Sequence, residues 1–236
     1  MTLTNTHILI IGGTKGIGRA TATAALAAGA RITVTGRSAA SLDARPEGAA
    51  GVVLDFTEPA SVAALAHGIG AVDHLVLSAS DAVAWGPFAE VSEDALRAAF
   101  DAKFWGYWRV IRALAPHLAA TGSVTLVTGA AARAALPGTS GLAAVNGALE
   151  AMARVLAVEL APRRVNTVSP GMTATEAYAG LPEAARDGMF AATAARLPAG
   201  RIGAPEDIAQ AILLAAANPF LTGATLDVDG GAHLAR

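Results

Sequence analysis

Cysteine is absent from the 236 residues. That excludes a disulfide, a thiolate nucleophile and a cysteine-ligated metal, and it suits a reducing compartment, so a cytoplasmic location is expected. Charge is scarce as well. Charged side chains make up 15% of the chain and leave a formal net charge of -2. With no basic excess to neutralise phosphates, nucleic acid is excluded as a partner. No run of 18 apolar residues occurs. The Ala-rich stretch 208–217 is shorter, carries Gln210 and reads as a buried helix, so no membrane partner is expected. The first six residues are polar and lack the positive start of a signal peptide. The five histidines, His7, His67, His74, His117 and His233, share no i,i+3 or i,i+4 spacing, so no metal site is read. There is no Gly-x-Ser-x-Gly elbow to support a serine hydrolase.

What is abundant is apolar side chain, 53% of the sequence, which excludes a disordered chain. So much apolar surface with so few charges hints at a homo-oligomer. Short apolar runs alternate with longer helical stretches. Strands are predicted at His7–Ile11, Arg31–Thr35, Gly51–Leu54, Val72–Leu77, Val124–Thr128, Val165–Val168 and Thr225–Val228. Helices are predicted at Gly16–Ala28, Glu58–His67, Ser92–Leu118, Leu142–Leu160 and Pro205–Ala217. The strands are continuously apolar, as in a parallel sheet covered on both faces. Strand–helix alternation then gives right-handed βαβ units in one α/β domain spanning residues 1–236, with no linker or repeat. The segment Thr173–Gly203 is less periodic and is a candidate substrate lid.

The strongest motif follows the first strand: Gly12-Gly13-Thr14-Lys15-Gly16-Ile17-Gly18. A strand, a glycine-rich turn and a helix in that order form a dinucleotide cradle. Gly12 permits the tight turn, Gly16 the approach of a pyrophosphate and Gly18 the packing of helix on strand, while the helix N-terminus offers free N–H groups. The end of the second strand decides the cofactor. NAD binding needs a carboxylate there for the ribose 2′-OH. This chain has Thr35-Gly36-Arg37-Ser38. Arg37 offers a planar fork to a 2′-phosphate, Lys15 can point at the same group, and Thr14 and Ser38 can donate. NADP(H) is therefore preferred over NAD(H).

The Gly-x-x-x-Gly-x-Gly spacing resembles the short-chain dehydrogenase/reductase family. The resemblance extends over nearly the whole chain, through Leu54-Asp55-Phe56, Leu126–Gly129, Arg164-Val165-Asn166, Ser169-Pro170-Gly171, Arg201–Ala209 and Leu226–Gly231. It implies a Rossmann-type three-layer sandwich whose seven parallel strands run in the order 3-2-1-4-5-6-7, and a dimer or tetramer. It also implies that Asp55, with Phe56 beside it, contacts adenine. Leu77-Ser78-Ala79-Ser80 stand where the family has Asn-Asn-Ala-Gly at the cofactor, and Pro170, Gly171, Thr173 and Thr175 match the segment over the nicotinamide carboxamide.

The family's proton chemistry uses Asn, Ser, Tyr and Lys. By position these are Lys103, Gly129, Leu142 and Asn146 here. Leucine has no proton to give and glycine no hydroxyl, so the ordinary mechanism does not transfer; a positioned general acid is worth roughly 10²–10⁴ in rate. The family's Asn and Lys have exchanged helices, which suggests an ammonium and an amide placed around the same ribose. Lys103, Asn146 and Tyr107, one turn after Lys103, are the catalytic candidates. Arg133 could clamp an anionic substrate or stand in solvent. The reading is an NADP(H)-dependent oxidoreductase acting on a small carbonyl, imine or alkene through a non-standard proton donor. The alternatives are a catalytically silent NADP(H) sensor or partner subunit, and a non-redox cyclase or isomerase that reuses the pocket.

Overall fold

Each apolar run becomes a strand because parallel pairing lets both faces be buried by helices. The computed structural model describes residues 3–79 and 84–234. Seven strands, β1 (His7–Ile11), β2 (Arg31–Gly36), β3 (Ala50–Val53), β4 (Val72–Leu77), β5 (Leu118–Val127), β6 (Arg164–Pro170) and β7 (Thr225–Val228), form one sheet. Their order is β3-β2-β1-β4-β5-β6-β7 and every pairing is parallel. The expected architecture is the observed one.

Helices α1 (Gly16–Ala27) and α8 (Pro205–Ala217) cover one face. Ile8, Ile10, Val34, Val76, Ile208 and Ile212 are buried between them and the sheet. On the other face lie α3 (Pro59–Gly68), α5 (Gly106–Leu114) and α6 (Ser140–Glu159). Leu9, Ile11, Leu75, Leu77, Val110 and Leu149 fill that layer. The alternation of residues 8 to 11 between two cores is the period-two geometry of a strand buried on both sides. By length and composition α6 is apolar enough to cross a membrane. In the fold it packs on β6 and buries Asn146 and Glu150.

Four elements depart from the sequence expectation. The continuous helix read over Ser92–Leu118 is three pieces: α4 (Glu93–Ala99), a π-helical turn (Phe100–Trp105) and α5. A 3-10 turn, Ala115–His117, with Pro116 inside it then ends the helical run, and β5 begins at Leu118, six residues before the predicted start. A short helix α2 (Ala39–Leu42) follows β2, capped by Ser38. Finally α7 (Glu183–Ala194) lies within the segment 173–203 that reads as less periodic. Every residue of α7 keeps some solvent exposure, so it shows no apolar stripe from which a helix could be read.

Candidate active site

The turn after β1 is shaped by close backbone approach. A Cβ on Gly18 would stand 2.1 Å from the Gly12 carbonyl oxygen, and Gly12 itself adopts φ +85°. No other side chain fits these two positions without moving the turn off the strand. The turn, the ends of β2 and β4 and the start of the segment after β6 enclose a cavity of about 350 Å³. Gly12, Thr14, Lys15, Gly16, Ile17 and Arg37 line its outer end. Phe56, Ser78, Ala79, Pro170 and Thr175 line its walls, with Lys103 and Tyr107 deep inside.

Other expected cofactor residues are held by contacts within the chain. The Ser38 hydroxyl accepts from the Ser41 amide and caps α2, and it is Ser41 that lines the cavity. The Asp55 carboxylate accepts from both the amide and the hydroxyl of Thr57, which holds its pKa below the ordinary carboxylate value. Gly171 is required because a Cβ there would meet the Asp229 backbone at 2.7 Å. Thr173 is buried, gives its hydroxyl to the Gly171 carbonyl and pairs with Gly203. Ser80 lies outside the described residues.

Whether a dinucleotide suits this cradle can be judged from its donors. The Gly16 amide, on the first turn of α1, donates to the Glu176 carboxylate at 2.8 Å, and Arg19 grips the same group at 2.8 Å. An anionic oxygen is thus already bound where a helix N-terminus would receive a phosphate. Lys15 and Arg37 flank it, and no carboxylate ends β2. The donor set fits a phosphorylated dinucleotide. Glu176 carried no motif by which the sequence could have marked it.

The deep end is built around Lys103. It lies on the π-helical turn and is 9% exposed. Its Nζ donates to Asn146 Oδ1 at 2.7 Å and to the Thr128 carbonyl at 3.1 Å. The ammonium and amide expected to share one ribose are in direct contact. Burial lowers the Lys103 pKa from 10.5 to about 8, and the charge of Glu150 works in the opposite direction. An ammonium can only donate, so the amide oxygen must face it and the Asn146 Nδ2 must turn the other way. That nitrogen lies 2.9 Å from where a Cβ on Gly129 would stand. Glycine at 129 and asparagine at 146 are therefore sterically matched.

Tyr107 is not free to pass a proton. It is fully buried and its hydroxyl points at the carbonyl oxygens of Leu77 and Ala79, at 3.0 and 2.7 Å. Burial pushes its pKa up. Its work is to fix the end of β4, whose next residues line the cavity. Arg133 is neither clamp nor solvated charge. It donates through Nε to Glu150 and through a terminal nitrogen to Asp227, at 3.2 and 2.8 Å. Among the described residues no cluster of His, Cys, Asp or Glu could hold a metal ion.

The sequence profile of the family described as Enoyl-(Acyl carrier protein) reductase matches residues 12–233. A short-chain dehydrogenase/reductase, ATR9, of Stachybotrys chlorohalonatus is 33% identical, with 99% of each chain covered. The D-erythrulose reductase of Gallus gallus is 32% identical over 94% of each chain. A solved small-chain dehydrogenase in complex with NADPH is 37% identical, superposes with a TM-score of 0.84 and is aligned over 98% of this chain and 99% of its own. Glycine turn, strand order and these full-length matches agree: the chain belongs to the short-chain dehydrogenase/reductase family of oxidoreductases.

Proposed function

We propose that the protein is an NADP(H)-dependent oxidoreductase acting on a small carbonyl, imine or alkene, with Lys103 in place of the usual phenol as proton donor. The observation that carries this reading is the buried Lys103 ammonium at the inner end of the cavity, aimed by Asn146 and the Thr128 carbonyl. The coenzyme, when bound, supplies the hydride. The chain's own residues hold and aim. The first turn of α1 receives the diphosphate, and Lys15 and Arg37 take the 2′-phosphate. A pKa of about 8 leaves Lys103 protonated at neutral pH yet able to release the proton. The Asn146 Nδ2, turned away from the ammonium, offers a hydrogen bond to a substrate oxygen beside Gly129. Arginine cannot perform this task, because it does not deprotonate. The sequence has two lysines, Lys15 and Lys103, against fifteen arginines, and both lysines line this cavity.

A second copy is the natural cover for the aromatic face of the π-helical turn and α5. Phe104, Trp105 and Trp108 stack edge to face there, and Trp105 and Trp108 stay 44% and 40% exposed. Val155 and Val158 on α6 are exposed as well.

The test is fluorescence titration with NADPH and NADH separately, followed by absorbance loss with carbonyl compounds. NADPH is expected to bind at least ~10-fold more tightly, and the Arg37→Ala and Lys15→Ala variants to erase that preference, since a charge-assisted hydrogen bond contributes about 1.5–3 kcal/mol. Binding of neither coenzyme refutes the reading. Binding with no turnover leaves a silent coenzyme sensor instead.

A further inference from the structure

Lys103 has two acceptors, and both are steered from one face of α6. Asn146 supplies the first directly. The second is the carbonyl of Thr128, whose hydroxyl donates to Glu150 Oε1 at 3.1 Å, with the Val168 carbonyl as a longer second acceptor at 3.3 Å. Asn146 and Glu150 are four residues apart, so they share a helix face, and both are buried. Glu150 is 6% exposed, which is an unfavourable place for a carboxylate without partners. It has partners on both sides. Arg133 donates to its Oε2 at 3.2 Å and is itself anchored on Asp227. The chain of contacts runs from the surface at Asp227 through Arg133, Glu150 and Thr128 to the ammonium.

We infer that Glu150 is the positioning residue and buried counter-charge of Lys103, acting through Thr128 and anchored by Arg133. This deepens the reading of Lys103 as proton donor and rests on it. Thr128 stands between the two charges, so Glu150 favours the ammonium by its field and sets the direction of its acceptor without capturing the proton in a tight ion pair. The other charged groups on elements packed against the π-helical turn leave Glu150 in control. Glu93, Asp94, Arg97, Arg112, Arg154 and Glu159 are exposed, as is Asp101 on the turn itself, and Arg109 is half-buried.

A merely structural Glu150, present to tie Thr128 to α6, predicts no change in how Lys103 titrates. The test uses the full chain without coenzyme, labelled with ¹³C at the lysine ε-carbon. Two lysines give two signals, and Lys15→Arg assigns them. Glu150→Gln is expected to raise the acid dissociation constant of Lys103 about 10-fold or more, the usual effect of losing a nearby opposite charge. Glu150→Asp restores part of the change. If Glu150→Gln alone leaves Arg133 unpaired and does not fold, the double variant E150Q/R133Q removes both charges; loss of the Arg133 cation offsets part of the change, so a smaller increase of the same sign is expected, set by the shorter path from Glu150 to Lys103. An unchanged midpoint in either variant overturns the inference. Because no coenzyme or substrate is present, the outcome is independent of the proposed activity. A moved midpoint in a protein that turns over no substrate supports the Glu150–Lys103 link while the oxidoreductase reading falls; an unmoved midpoint in an active enzyme does the reverse.

Discussion

Replacing Lys103 by Met tests the burial of its charge. The Lys103 ammonium loses hydration inside the fold, which brings its pKa from 10.5 to about 8. That gap corresponds to roughly 3 kcal/mol against the folded state at neutral pH. Between about pH 8 and pH 10.5 the unfolded chain holds the extra proton, so the wild type gains stability as pH rises through that window; below about 8 the penalty is fully present. Met fills the place of the lysine stem, one atom shorter, and removes the charge. It also leaves the Thr128 carbonyl and the Asn146 oxygen without their donor, at about 1–2 kcal/mol. The variant is therefore expected to be more stable than the wild type by ~1–2 kcal/mol at pH 7. Its advantage shrinks by about 2–3 kcal/mol by pH 10 and becomes a deficit. Urea unfolding of both proteins at the two pH values measures this directly, because every other titrating group is common to both. A stability difference that does not move with pH refutes the burial of a charged ammonium. The same variant lacks the proposed proton donor, so its turnover falls by roughly 10²–10⁴ while NADPH still binds.

Glu176→Ala removes the carboxylate that competes with phosphate for the Gly16 amide and frees Arg19; calorimetry is expected to show NADPH binding tightened about 3- to 10-fold, and weaker binding would mean that Glu176 helps to hold the coenzyme. Gly129→Ser does not restore ordinary family chemistry. Its Cβ displaces the Asn146 amide and loosens the grip on Lys103, so thermal unfolding shows a loss of about 1 kcal/mol and turnover drops; unchanged stability with faster turnover would refute the steric match. His74 is buried against the Ser123 hydroxyl, and burial first, then the charge of Arg164, lowers its pKa from 6.5 to about 4. The folded protein binds this proton less readily than the unfolded chain, so the contribution is intact above pH 6.5 and is lost as pH falls toward 4. His74→Gln is expected to lessen the acid sensitivity by roughly 2–3 kcal/mol between pH 7 and pH 4.5, read as urea midpoints, and an equal sensitivity in both proteins would sink the assignment.

The strands, the dinucleotide turn and the cations at the end of β2 were legible in the sequence because each is local, whereas the order of the strands came from the family resemblance. A doubly buried strand is an apolar run, a tight turn beside a helix needs glycine at fixed spacing, and an absent carboxylate is visible wherever the strand ends. The exchange of an ammonium and an amide at positions 103 and 146 was also legible, as a departure at two positions of a known pattern; their direct hydrogen bond was not. Elements with no local signal were not: α7 buries no face, and the π-helical turn under Lys103 has the same residue types as the α-helix on either side. Long-range contact decided the rest. Tyr107 shares a helix face with Lys103, as spacing requires, yet its hydroxyl is taken by two carbonyls at the end of β4. Arg133 and Asp227 are 94 residues apart, and Gly16 and Glu176 are 160 apart. Sequence determines which side chains can carry a charge or a proton; the packing of the π-helical turn against α6 determines which of them lose water and meet, and that loss of water is what turns a lysine into a candidate acid.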